Sequence, residues 1–444
     1  MTIATGRSAG TDAVQAADTW VATKLRYLLE VNPATPVELR AQSDRLVPFI
    51  PMEALGEDGS LDTTRQRPVA ELLSGYSYFA NGDVLMAKVT PCFENGKAAL
   101  VQSLAQKHGF GSTEITTLRA SEGLDPAFLH YLVRSDHFRQ ASIASMTGAG
   151  GLKRVPDEHI RSFGTVVPPE TEQRAITDFL DRETAKIDAL IDKQEQLIAT
   201  LREDRAATIT QAVTKGLDPS VEIRDSGIVW LGPVPTSWTA MRLKHIIKSV
   251  RSGTSVNAAD TPALPNELGV LKTSCVSAGW FNPDANKTVL EEEQHRLSCS
   301  VASDTLVVNR ANTPDLVGAS GYVRESRPNL FLSDKLWQVT FTHAMAEYVH
   351  YWTHTPVYRT QILANSVGAS SSMQNLSIFD YQNLSIALPT ISEQRSIVDF
   401  LSTRISGIDA LINKSTEMIE ILREYRSALI TNAVTGKIDV REAV

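Results

Sequence analysis

PPETEQRAITDFLDRETAKIDALIDKQEQLIATLREDRAATITQAVTKGLD (Pro168–Asp218) and PTISEQRSIVDFLSTRISGIDALINKSTEMIEILREYRSALITNAVTGKID (Pro389–Asp439) are one pattern written twice. They align without a gap at a constant offset of 221, and roughly half of their positions are identical. Glu172-Gln173-Arg174 pairs with Glu393-Gln394-Arg395, Ile187-Asp188-Ala189-Leu190-Ile191 with Ile408-Asp409-Ala410-Leu411-Ile412, and Leu201-Arg202-Glu203 with Leu422-Arg423-Glu424. Internal repetition on this scale means that the chain is built from two copies of one unit.

Both segments read as helices. Apart from Gly407, Glu172–Thr214 and Glu393–Thr435 lack Gly and Pro, and each follows a proline and an N-cap candidate, Thr171 or Ser392. About 43 residues at about 1.5 Å of rise make a rod of roughly 65 Å, much longer than an ordinary globular helix. Apolar residues recur at three- and four-residue steps: Ile187, Leu190, Ile191 and Leu201 in one, Ile408, Leu411, Ile412 and Leu422 in the other. A lone helix exposing such a stripe is marginal in water, so the expectation is an antiparallel coiled-coil pair packed through Ile187, Leu190, Leu201, Ile408, Leu411 and Leu422. A pseudo-two-fold relation between the halves places equivalent faces in contact.

The regions before the rods also correspond, at drifting offsets. Trp20 mirrors Trp238, Asp83-Val84-Leu85 mirrors Asp304-Thr305-Leu306, and His130-Tyr131 mirrors His350-Tyr351. Short apolar runs at Val84–Val89, Ile115–Leu118, Leu306–Val308 and Leu336–Phe341 read as strands, while Pro126–Ala141 and Ala344–Leu363 carry helical spacing. The expected fold is α+β: two mixed domains joined by two long antiparallel helices. Its parts are a loose N-terminal arm (1–19), a first domain (20–167), a first spacer helix (168–218), a linker (219–237), a second domain (238–388), and a second spacer helix with a tail (389–444).

Composition places bounds on function. Hydrophobic residues at 42% and charged residues at 21% are globular values. Three cysteines (Cys92, Cys275, Cys299) lack metal-ligand spacing, and neither a signal peptide nor an apolar membrane segment is legible, which predicts a soluble protein of the reducing cytoplasm. The net charge of −8 is unusual for a chain that touches phosphates, although acidic rods are compatible with basic faces elsewhere.

Motifs of catalysis are missing: there is no His-Glu-x-x-His, no phosphate-binding Gly-x4-Gly-Lys-Ser/Thr, no Cys-x2-Cys and no Asn/Asp-Pro-Pro-aromatic signature. Gly148-Ala149-Gly150-Gly151 does not fit a dinucleotide loop, and Glu94-Asn95-Gly96-Lys97 lacks the second carboxylate that a metal-dependent nuclease requires. His130 and His350 lie in apolar helical stretches and read as structural. No catalytic residue and no metal site is expected.

Taken together, these motifs resemble the specificity subunits of type I restriction-modification enzymes. The resemblance rests on Pro-x3-Glu-Gln-Arg opening each rod, Ile-Asp-x-Leu-Ile within it, Leu-Arg-Glu and Ala-Val-Thr near its end, Trp230-Leu231-Gly232-x-x-Pro235-x-x-Trp238 between the halves, and Gly82-Asp83-Val84-Leu85 with Asn95-Gly96-Lys97. It implies two target-recognition domains that each read half of a bipartite sequence in double-stranded DNA, and helices that act as a ruler and dock two methyltransferase subunits. In a restricting complex two restriction/translocase subunits join. S-adenosylmethionine, ATP and Mg would belong to those partners, with no cofactor in this chain and no membrane involved.

Base edges and phosphates are read by cationic and amide side chains on loops. The candidates are Lys88, Lys97, Lys153 and Arg154 in the first domain, and Asn309, Arg310, Lys335, Ser371, Ser372 and Gln374 in the second. Lys88 and Asn309 occupy equivalent places by sequence offset, as do Ser112 and Ser333. The competing reading is a protein-interaction scaffold that never touches DNA, which the acidic net charge favours.

Overall fold

The computed structural model describes residues 19–149, 151–370 and 373–440. Most of the N-terminal arm (1–18), the end of the tail (441–444), and the candidates Ser371 and Ser372 lie outside the described residues. Two compact units emerge, Met1–Glu195 with Thr416–Val444 and Gln196–Ser415. Two helices, Glu170–Lys215 and Ile391–Val434, each contribute to both units. Mixed helix and strand with two long helices is the fold class that the repeat implied.

In the first unit, a four-stranded sheet runs in the order Leu29–Val31, Ile115–Ala120, Val84–Ala87, Ala98–Leu100. A second sheet, Gln66–Pro68, Leu46–Ile50, His108–Gly111, Ser77–Ala80, contains one parallel pairing. The second unit repeats the first sheet as Ile247–Ser252, Leu336–Phe341, Thr305–Asn309, Ser320–Val323. Each domain begins and ends on one short ribbon, because Val21–Lys24 pairs antiparallel with Gly164–Val167, and Thr239–Arg242 with Ser385–Leu388. The helical stretches are broken where the sequence suggested continuity. Ser135 ends Pro126–Arg134 and its hydroxyl caps Phe138 of Asp136–Ser145; in the second unit His354 ends Ala346–Thr353 and the Thr355 hydroxyl caps Tyr358 of Pro356–Asn365. The linker folds back as Ile223–Asp225 paired with Pro233–Pro235, and Arg224 holds the Trp238 carbonyl at 2.9 Å.

Within each unit the helix segments run antiparallel. In the first, Ile176 and Leu180 share a core with Ile430, Ala433 and Val434; in the second, Ile209, Ala212 and Val213 share one with Ile397, Leu401, Ile405 and Ile408; Thr184, Ile187, Ile198 and Ile419 are buried as well. Every one of these positions has its counterpart 221 residues away also buried. Ion pairs repeat with the same offset: Arg426–Asp188 at 3.0 Å in the first unit and Arg205–Asp409 at 3.1 Å in the second. Among the expected packing residues, Ile187 and Ile408 are buried, and Leu201 and Leu422 are half-buried. Leu190 and Leu411 are 47% and 51% exposed, which corrects the stripe. In Ile-Asp-x-Leu-Ile the seam takes the first isoleucine and the residue four later, so the leucine between them turns toward solvent.

The Glu-Gln-Arg motif docks each domain on its helix. Gln173 is fully buried; its Oε1 accepts from the Asp125 amide at 2.7 Å and its Nε2 donates to the carbonyls of Gly123 and Pro168, both at 2.9 Å. Gln394, equally buried, accepts from the Met345 amide at 2.9 Å and donates to Pro389 at 3.0 Å and His343 at 3.4 Å. The neighbouring glutamates take the indole N–H of the domain's opening tryptophan, Trp20 to Glu172 at 3.2 Å and Trp238 to Glu393 at 2.9 Å. Each indole also lies against the glycine that ends the opposing helix: a side chain on Gly436 would stand 3.2 Å from Trp20, and one on Gly216 3.5 Å from Trp238, and both glycines have the positive φ of a helix C-terminus. The helices start before the sequence-read caps, and Thr390, not Ser392, accepts from the Glu393 amide at 3.4 Å.

Truncating Gln173 or Gln394 to alanine removes the partner of one backbone amide and two carbonyls, of which the Pro168 or Pro389 carbonyl belongs to a buried residue. Each substitution is predicted to cost about 1–3 kcal/mol, read as a lowered midpoint in thermal unfolding of the full chain. An unchanged midpoint would show that the latch is dispensable.

Candidate nucleic-acid interface

The central strand of each unit ends on a cation. In the first, Lys88 follows Val84–Ala87; its amide donates to Glu114 at 2.9 Å and its carbonyl accepts from Val155 at 2.9 Å. In the second, Arg310 follows Thr305–Asn309; its amide donates to Lys335 at 3.0 Å and its carbonyl accepts from Leu376 at 2.8 Å. Since Glu114 and Lys335, like Val155 and Leu376, are 221 apart, the residue that answers Lys88 is Arg310 and not Asn309. The slip starts at the preceding turn, where Gly82 (φ +88°) in one unit and Asp304 (φ +53°) in the other hold the left-handed conformation. Aligning the two aspartates by identity therefore misplaces the strand by one. Ser112 and Ser333 keep their equivalence, each accepting from an amide three residues on, at 3.0 and 3.1 Å.

This correction moves Asn309 off the candidate surface. It is fully buried, and its Oδ1 accepts from the Ala311 amide at 3.3 Å. Lys335 is exposed beside Arg310, and Gln374 is half-buried on the strand Met373–Asn375. That strand pairs with Val367–Ser370 and with Ala311–Asn312, so Arg310, Lys335 and Gln374 are brought together.

The first unit assembles its four candidates in the same way. Ala87 donates to the Lys97 carbonyl at 3.0 Å, which sets Lys97 beside the end of the Lys88 strand. The hairpin of Thr147–Ala149 and Leu152–Arg154 joins the far side: Val89 bridges to Arg154, the Thr90 amide donates to the Lys153 carbonyl at 3.1 Å, and the Thr90 hydroxyl donates to Gly151 at 2.9 Å. Lys153 and Arg154 are exposed, Lys88 and Lys97 half-buried, and none of the four makes an ion pair among the described residues. Against a net charge of −8, a group of unpaired cations at one strand end is a local positive patch.

Two arginines that sequence reasoning passed over hold the loops beside these strands. Arg139 donates to the Glu94 carbonyl, while Arg359 donates to Val317 at 2.6 Å and to Pro314. They stand in corresponding stretches of the two halves, Phe138-Arg139 and Tyr358-Arg359. Asn95 donates to Glu57 at 2.7 Å, an ordinary loop tie. The repeated histidines are structural: His130 stands 3.2 Å from the Ala98 carbonyl and burial, with Arg134 adding to it, depresses its pKa to about 3, while burial and His354 hold His350 well below the usual range. Among the described residues no three His, Cys, Asp or Glu gather to hold a metal, and no helix is long and apolar enough to cross a membrane.

No protein-family model matches this chain. It is similar to specificity subunits of type I restriction enzymes. The EcoEI subunit of Escherichia coli is 26% identical over 471 aligned positions, covering 88% of this chain and 78% of the relative. The EcoKI subunit of Escherichia coli strain K12 is 22% identical over 397, covering 86% and 80%. Among solved structures, a chain of a type I restriction-modification system superposes with a TM-score of 0.73 at 17% identity, covering 95% of this chain and 99% of that one. The HsdS subunit of Thermoanaerobacter tengcongensis does so with a TM-score of 0.54 at 17% identity, covering 95% and 98%. These likenesses support the same fold.

Proposed function

From its similarity to specificity subunits of type I restriction enzymes, we infer that the chain is the DNA-sequence-specificity subunit of such a complex. The observation that carries this is the duplicated strand end, where Lys88 and Arg310 occupy one place in two units while the neighbouring residues differ: Glu114 against Lys335, and Lys153 against Gln374. Two readers of different half-sites need a shared phosphate anchor and divergent base-facing groups. Residues 20–167 and 238–388 are the two target-recognition domains. The long helices space them and dock one methyltransferase subunit each, and Leu190 and Leu411, exposed at equivalent positions, offer each such subunit the same apolar contact.

The chain recognises and does not catalyse. S-adenosylmethionine, ATP and Mg belong to its methyltransferase and restriction partners, and the complex acts in the cytoplasm. A scaffold that never met DNA would have no use for unpaired cations on matching strand ends.

Co-expression with the methyltransferase subunit of its own system, followed by genome-wide mapping of adenine methylation, is predicted to show a bipartite motif with a fixed gap that vanishes when this chain is omitted. Methylation that persists without the chain would overturn the assignment. In the purified complex, Lys88→Ala and Arg310→Ala are each predicted to weaken binding to specific and unrelated duplexes alike, and to lower the slope of log affinity against log salt by about one. An unchanged slope would remove these residues from the phosphate contact.

A further inference from the structure

Each domain carries an exposed apolar side chain at the same register of the hairpin that flanks the cationic strand end. In the first unit Leu152 pairs across the ribbon with Ala149, Lys153 with Gly148 and Arg154 with Thr147. In the second, Met373 pairs with Ser370, Gln374 with Gly368 and Asn375 with Val367. Leu152 therefore answers Met373, Lys153 answers Gln374, and Arg154 answers Asn375. Leu152 is 45% exposed and Met373 40% exposed.

One exposed aliphatic residue on a surface needs no explanation. Two at one register do, because the positions beside them have changed chemistry: cations in one unit, amides in the other. Side chains that distinguish bases are free to differ between two readers. A side chain kept apolar in both has a task that does not depend on base identity. The hairpins are also stiffly held close to that residue. Thr90 bonds Gly151 through its hydroxyl and the Lys153 amide through its oxygen at 3.1 Å, and Asn312 pairs with Gln374 in the ladder. In the first unit the residue precedes Lys153 and Arg154 on the hairpin that bridges to the Lys88 strand end, so a polyanion drawn to those cations comes within its reach.

We propose that Leu152 and Met373 are wedges, each inserted between adjacent base pairs of its own half-site so that the local stack opens. Leucine and methionine are among the unbranched or γ-branched apolar side chains that protein wedges use on duplex DNA, and opening a stack is an interaction that every base step offers. Lys88 and Arg154 hold the phosphates while the wedge opens the step and Lys153 faces the bases, which gives Lys153→Ala a different signature from Leu152→Ala. The inference rests on the DNA-recognition reading above and adds to it a positioning role for two residues.

The test uses the full chain in complex with its methyltransferase subunit, on a duplex bearing the mapped motif. 2-Aminopurine replaces, one at a time, each purine of both half-sites other than the methylated adenine. The wild-type complex is expected to raise the fluorescence severalfold at one step in each half-site. Leu152→Ala abolishes the rise in one half-site and spares the other, Met373→Ala does the reverse, Leu152→Phe retains it, and Lys153→Ala keeps it once the duplex is saturated. Binding without a rise at any step, or rises that survive both alanine variants, overturns the wedge and leaves the recognition reading standing. So does a loss of binding on replacing half-site thymines by uracil without any rise, which assigns the two residues to thymine methyl groups. Failure of the wild-type complex to bind the duplex overturns the recognition reading and the wedge with it.

Discussion

Burying a glutamine with all its hydrogen bonds made is the constraint on which each unit depends. Gln173 and Gln394 each tie the opening of a long helix to the turn that starts a domain helix, and each sits at zero exposure, where an orphaned amide is costly. The indole–glutamate bond beside each latch fixes the start of the domain to the same turn, and the helix-ending glycine closes over the ring. A domain whose first and last strands pair on one ribbon is then carried by a single seat. The seat is the same in both units: Ile176, Leu180, Ile430, Ala433 and Val434 in one, Ile397, Leu401, Ile209, Ala212 and Val213 in the other.

An identical seat beneath divergent domains separates two demands on one chain. The helices and latches must stay complementary to each other, which confines them to a repeat. The strand ends and hairpins face outward and are free to change. The features retained there are a cation at the strand end and an apolar residue on the hairpin, while Lys153 and Gln374 differ.

Much of this was legible in the sequence. The gapless offset of 221 survives because every buried seam position is met by its counterpart, so the helices, their length and their pairing could be read from residue spacing. The seam itself was less legible. It includes polar positions such as Thr184, Gln194 and Ser415, which a search for apolar residues skips, and it excludes Leu190 and Leu411, which such a search accepts. Gln173 was visible only as part of a motif, because nothing in a sequence marks a glutamine as buried. The candidate site was legible by region but not by frame. Matching Asp83 to Asp304 by identity hid the fact that the left-handed turn falls on Gly82 in one unit and on Asp304 in the other, and that single step put Asn309 where Arg310 belongs.

On the proposed function, each domain reads its own half-site independently on an interchangeable seat. The most direct measurement uses a chain in which residues 238–388 are replaced by a second copy of residues 20–167, co-expressed with the methyltransferase subunit and mapped for adenine methylation. The expected result is a motif made of the first half-site twice, in inverted orientation, with a gap close to that of the parent. Retention of the original second half-site would contradict it.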